Sequence, residues 1–208
     1  MYFIFDHLNA TVIGATATLI LVGLFLRIGE ANVEQVANYH VKTQAADLAT
    51  WLEDDLLRLG DNMDGKIAFA DPVDSAGVTT EFTFYWDSVN TAASPIDTIR
   101  MSVKYDLSKV GTRVLDSDTI SVYQLRRFQR EDLGSWVASG ASSDLLSSFR
   151  IDMLNRDAVP VASPVAAATA SPDSIRNTRV RFSMATPFET QSSTIRQVFY
   201  GSTLMISN

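Results

Sequence analysis

The chain has no cysteine. That absence excludes disulfide staples, thiolate metal sites and cysteine nucleophiles, and it leaves the compartment open, since exported domains often do without disulfides. Histidine is scarce as well, with only His7, beside the first apolar run, and His40 further on. Neither has the serine, cysteine or glutamate pattern of a catalytic triad or zinc site, and no GxSxG, HExxH or phosphate-cradling glycine loop occurs. His40 reads as a partly exposed helix residue. An enzyme has no foothold here, and neither a cofactor nor a small-molecule substrate is expected. Positive charge is the third shortage: 17 Lys and Arg face 24 Asp and Glu, a net charge of −7 with a pI of about 4.7. Such a balance disfavours a sequence-blind grip on nucleic acid. The basic cluster Arg126, Arg127 and Arg130 is followed at once by Glu131 and Asp132 and reads as a solvated strand end.

Charge is also missing from the segment that organises the rest. Leu8–Leu26 (LNATVIGATATLILVGLFL) carries no charged residue, and its length is about that needed to cross the hydrocarbon core of a bilayer as a helix. A cleaved signal peptide opens with basic residues, whereas Met1–His7 holds Asp6 and neither Lys nor Arg. A buried helix of a soluble protein seldom goes so long without charge. The segment therefore reads as a retained membrane span, its hydrophobicity diluted by Asn9, Thr11, Thr16 and Thr18. The threonines, Gly14 and Gly23 suit a helix packed on other helices, because small and hydroxyl side chains allow close approach in lipid. Lys and Arg are few between Arg27 and Gly65, which predicts a cytoplasmic N-terminus and a periplasmic or extracellular domain.

No proline interrupts residues 30–59 (EANVEQVANYHVKTQAADLATWLEDDLLRL). Within them Val33, Ala37, Val41, Ala45, Leu48, Leu52, Leu56 and Leu59 recur three or four apart and form one apolar stripe on a helix. One helix over 8–59 is predicted, with Gly29 as the place to bend, since glycine costs about 1 kcal/mol in a helix interior. Val41, Leu48, Leu52 and Leu56 are the face expected to carry the core, and Glu53-Asp54-Asp55 a solvated face. Gly60-Asp61-Asn62 ends the helix. The remaining chain, about 150 residues, suffices for one globular domain.

That remainder reads as strands. Lys66–Ala70 is a short one, closed by Asp71-Pro72 and the Ser75-Ala76-Gly77 turn. Thr80–Asp87 alternates, with Phe82, Phe84 and Trp86 on one face, and Asp97–Tyr105 does so with Ile99, Met101, Val103 and Tyr105. Thr112–Leu115 continues it, Asp116-Ser117-Asp118 turns, and Thr119–Phe128 comes next with Ile120, Val122 and Gln124 sharing a face. Asp132–Asp144 is a polar loop holding Trp136. Phe149, Ile151 and Met153 mark a strand in Leu145–Leu154. Ala158–Ser174, rich in Ala, Pro and Ser, has no period and reads as an exposed, mobile excursion. Ile175–Met184, with Val180 and Phe182 inward, and Ile195–Ile206, with Val198 and Tyr200 on one face, complete an antiparallel meander. Carboxylates pair at Asp54-Asp55, Asp61/Asp64, Asp71/Asp74 and Asp116/Asp118. Only Asp61–Gly65 approaches the density calcium wants, and it lacks a completing glutamate; turn hydrogen bonding explains these acids, so no metal is assigned.

The order of these elements resembles type IV pilins and type II secretion pseudopilins, most closely their larger minor members. Leu52-Glu53-Asp54-Asp55-Leu56-Leu57-Arg58-Leu59-Gly60 is similar to their "LxxDLRxAG" segment at the end of the long helix. Ile99-Arg100-Met101-Ser102-Val103, Phe149–Asn155 and Ile175-Arg176-Asn177-Thr178-Arg179-Val180-Arg181-Phe182 stand where "IRY", "fxxLN" and "IRxVxVxL" patterns occur in that family. Prepilins begin with a short basic leader, which is missing here, yet Tyr2 stands where the first mature aromatic would and Asp6 where the family's glutamate would. Either the numbering begins near a processed end or the processing peptidase is bypassed. The resemblance implies an α+β fold, a long N-terminal helix packed on an antiparallel β-sheet. Residues 1–29 would be its membrane half and 30–208 a pilin-like domain of helix 30–59 and sheet 66–207. It implies a structural subunit that packs with sister pilin-like subunits through Asp6, Gly14, Thr18 and Gly23. Asp6, at the edge of lipid, would want a neighbour's amine or would face water. The competing reading is a membrane-anchored binding or structural component of another envelope complex or a membrane-containing virus particle. Its partners would be other membrane proteins and lipid.

Overall fold

The computed structural model describes residues 2–63, 65–91, 97–115, 118–185 and 197–206. Helix α1 runs unbroken over Tyr2–Leu56, 55 residues, so no reversal separates the uncharged run from the stripe. Residues 7–33 are exposed, and the helix is long and apolar enough to be a candidate membrane span. The stripe goes underground only from Ala37 onward, for Val33 is 57% exposed. Helical bonding tightens at the end, where Arg58 N donates to Asp55 O and Leu59 N to Leu56 O. Gly60 then takes φ +84°, a left-handed value that closes helices readily when no Cβ is present. Its N–H passes to Tyr85 O, joining the helix end to the sheet.

The strands are β1 (Val73–Ser75), β2 (Val78–Asn90), β3 (Asp97–Leu115), β4 (Asp118–Glu131), β5 (Val137–Ala141), β6 (Leu146–Leu154), β7 (Asn177–Ala185) and β8 (Gln197–Met205). Among the described residues they form one antiparallel sheet in the order β1-β2-β3-β4-β6-β7-β8, with β5 also paired to β4. The meander is thus as expected, but the sheet curls. Ile151 N of β6 donates to Thr79 Oγ1 of β2, 3.1 Å away, although β3 and β4 lie between those strands in pairing order. Into the hollow goes the end of α1. Phe82, Phe84, Tyr105, Phe149, Phe182, Leu52, Leu56 and Leu59 are all fully buried there. The alternation in β2, β3, β6 and β7 is what aims these side chains at the helix.

Several expectations are corrected. Lys66–Ala70 is extended but pairs only through Phe69 and Phe84, with Tyr85 N donating to Ala68 O and Ala70 N to Thr83 O. In β4 the parity facing the helix is that of Leu125 and Arg127, so Val122, although buried, lies outside the main core and Gln124 does not face it. The polar loop contains β5, whose small exposed residues show no alternation. Ala158–Ser174 is not structureless: Pro164–Ala170 forms helix α2, followed by a 3₁₀ turn at Pro172–Ser174. Proline at the first helical position and a run of alanines are helix-starting chemistry that a period search misses. Pro164 and Ala168 are buried, Val161 and Val165 pack on the core, and Val165 N donates to Asp71 Oδ1 at 2.8 Å. Asp64, the Asp116-Ser117 turn and Ile195-Arg196 lie outside the described residues.

Candidate functional site

The long helix defines two regions: the exposed apolar half and the socket that holds its other end in the sheet. In the apolar half, a Cβ placed on Gly14 or Gly23 meets nothing within 4 Å. At about 100° per residue, Gly14 and Thr18 share a face, whereas Gly23 lies about 180° from Gly14 and beside Thr16. These residues are therefore not one seam but two, back to back. Thr11, Thr16 and Thr18 donate to the carbonyls of His7, Val12 and Gly14 at 2.8, 2.8 and 2.9 Å, so each hydroxyl is satisfied within its own helix. The Asp6 side chain lies outside the described residues.

In the socket, Val41, Leu48, Leu52 and Leu56 are each at most 5% exposed, as their spacing requires. Between them sits Asp55, which is not solvated. Its side chain and that of Arg127 are each 11% exposed; Arg127 Nε donates to Oδ2 at 2.6 Å and a terminal nitrogen to Oδ1 at 2.9 Å. Tyr105 Oη donates to the same Oδ2 at 2.7 Å. Burial first, then the charge and hydrogen bond of Asp55, hold the Tyr105 phenol well above its ordinary pKa of 10.0. Trp51, one turn earlier, meets Tyr105 edge-on at 6.0 Å and lies so near Gly140 of β5 that a Cβ there would come within 3.2 Å of the indole. Glu53, on the other flank, accepts from Tyr200 of β8. The helix end is thus clasped by β3, β4 and β5 on one side and by β8 on the other.

The basic cluster divides three ways. Arg126 is exposed, Arg127 closes on Asp55, and Arg130 stacks its guanidinium over Trp136 at 4.5 Å, where Lys104 also sits, 5.2 Å from the ring. Two other buried carboxylates gather cations. Asp87 takes Arg100 at 3.1 Å and Lys66 at 3.4 Å. Asp152 takes Arg150, Arg179 and Arg181 at 2.9, 3.0 and 2.6 Å. Burial pushes both acids up, but their partners outweigh it and leave each below the ordinary carboxylate value of 3.8.

What this arrangement does is hold a helix. Among the described residues no three His, Cys, Asp or Glu side chains are grouped to take a metal. His40 is exposed and meets Tyr39 edge-on. A cavity of about 280 Å³ beside the helix is lined by Asp47, Leu48, Trp51, Ser143 and Met184. The signal for Asp55 was present in the sequence, since it falls three residues after Leu52 and four before Leu59, within the stripe. For the Asp152 cluster the signal was the alternation itself, which puts Arg150 and Asp152 opposite Arg181 and Arg179. No protein-family model, no curated protein and no solved structure matches the chain.

Proposed function

We propose that the protein is a non-catalytic, pilin-like subunit: its N-terminal helix crosses the membrane once and packs with sister subunits, and its sheet domain stands outside the cytoplasm. The observation that carries this reading is the division of α1, one rod whose first half is apolar and exposed and whose last turns are clasped by the sheet. A bare anchor has no need of small residues on two opposite faces. A subunit with a neighbour on each side does, because small residues let helix backbones approach in lipid. The test is Gly14→Leu with Gly23→Leu, which meets no steric obstacle within the chain. The double variant is expected to fold, insert and lose co-purification with its membrane partners, with Asp6→Ala behaving likewise. A second reading, a membrane-anchored binding module that forms no filament, draws on the threonines, whose satisfied hydroxyls demand no neighbour. If both variants co-purify as the wild type does, this second reading takes over.

A further inference from the structure

The outer face of β6 and β7 carries a cation cluster that the helix socket does not use. Phe149, Ile151, Val180 and Phe182 point into the core, so strand alternation turns Arg150, Asp152, Arg179 and Arg181 the other way. Arg150 is paired with Arg181, and Asp152 with Arg179. Like charges directly opposite are unfavourable, and Asp152 offsets that by binding all three arginines. It does not cancel them: three guanidiniums less one carboxylate leave a charge of +2, on a chain whose net is −7. The Asp152 side chain is 4% exposed, whereas Arg150, Arg179 and Arg181 keep 44, 29 and 47%. A buried acid that fixes arginines in register while leaving them open to solvent preorganises them for an external carboxylate or phosphate, which a guanidinium can bind through two parallel hydrogen bonds.

Height above the membrane decides which anion. Arg181 adjoins Phe182, which stacks on Tyr200, whose hydroxyl reaches Glu53 of α1. From Leu26 to Glu53 a helix climbs about 40 Å, several times the Debye length of roughly 8 Å in physiological salt. Headgroups of the membrane that α1 would span are out of reach. The three forks are spread over two strands and two residue steps, about 5 by 7 Å, which matches acidic side chains spaced along a polypeptide better than one small ion. We infer that this platform docks a carboxylate-bearing segment of a neighbouring protein. The inference rests on the proposed assembly role and adds a contact made outside the membrane.

The test uses the full chain in nanodiscs of zwitterionic lipid and a fluorescent peptide of ten glutamates, with inorganic phosphate and phosphatidylglycerol vesicles as rival probes. Peptide binding is expected to weaken with salt and to fall about tenfold in Arg179→Ala/Arg181→Ala, two charge-assisted contacts being lost. Arg126→Ala, an exposed arginine elsewhere, should leave it unchanged. Arg150→Gln keeps two arginines on Asp152, so its thermal unfolding should match the wild type while binding falls about threefold. Equal affinity in wild type and arginine variants overturns the proposal, as does an absence of peptide binding. Arginine-dependent capture of the vesicles, or phosphate binding as tight as that of the peptide, assigns the platform to lipid or to a small oxyanion and overturns it too. The Gly14→Leu/Gly23→Leu protein should bind the peptide normally, so a failure of helix packing and a failure of the platform are told apart.

Discussion

Asp55 and Arg127 lie where charge is expensive, and their value depends on each keeping the other. Removing one partner of a buried pair costs about 3–5 kcal/mol, because the survivor stays buried without compensation, while replacing both by apolar groups is often nearly neutral. Arg127→Met in a soluble fragment of residues 30–208 is therefore expected to lose about that much in chemical denaturation. Adding Asp55→Leu with Tyr105→Phe, so that the buried phenol is not left without its acceptor, should restore most of it; equal losses would show that Asp55 finds water instead. Asp152 gives a pH signature. Its folded pKa lies below 3.8, so its contribution is complete above that value and vanishes as pH falls through the depressed one. The stability gap between wild type and Asp152→Asn should thus be widest at neutral pH and close as the solution is taken well below 3.8. Asp87, lowered by Arg100 and Lys66, adds to the same acid sensitivity.

At the scale of elements, strands with a buried face were readable and those without one were not. Phe82-x-Phe84-x-Trp86 and Phe149-x-Ile151-x-Met153 announce β2 and β6 because each has one face on the core. β5 is exposed along its whole length and leaves no such trace. Asp55 reads as solvated in the sequence for another reason: position places it in the core while chemistry places it outside, and the deciding partner, Arg127, is 72 residues away in sequence. The same non-local accounting applies to α2. Its buried Pro164 and Ala168, with Val161, Val165 and Ile175, form a lid on the end of the core. Replacing residues 162–173 by a Gly/Ser linker should accordingly lower stability on the scale of Leu52→Ala, about 2–5 kcal/mol. An unchanged denaturation midpoint would mean that the lid rests on the core without holding it.

At the scale of the whole molecule, the unbroken α1 is a shaft about 80 Å long, keyed into the sheet at one end by Glu53, Asp55 and Trp51. A shaft without a joint transmits angle as well as position, so the compass bearing of Gly14 and Gly23 is set by the strands that grip residues 51–56. Phase then becomes a property that can be mutated without altering any contact. One alanine inserted after Glu30 turns the apolar half by about 100° and lifts it about 1.5 Å, leaving both halves folded. Seven alanines lengthen the shaft by about 10 Å but return the bearing to within about 20°. If copies must match bearings to assemble, cross-linking between membrane segments should be lost with the first insertion and recovered with the second. Loss with both would make height, not bearing, the matched quantity, and a domain that swivels on its anchor would tolerate either.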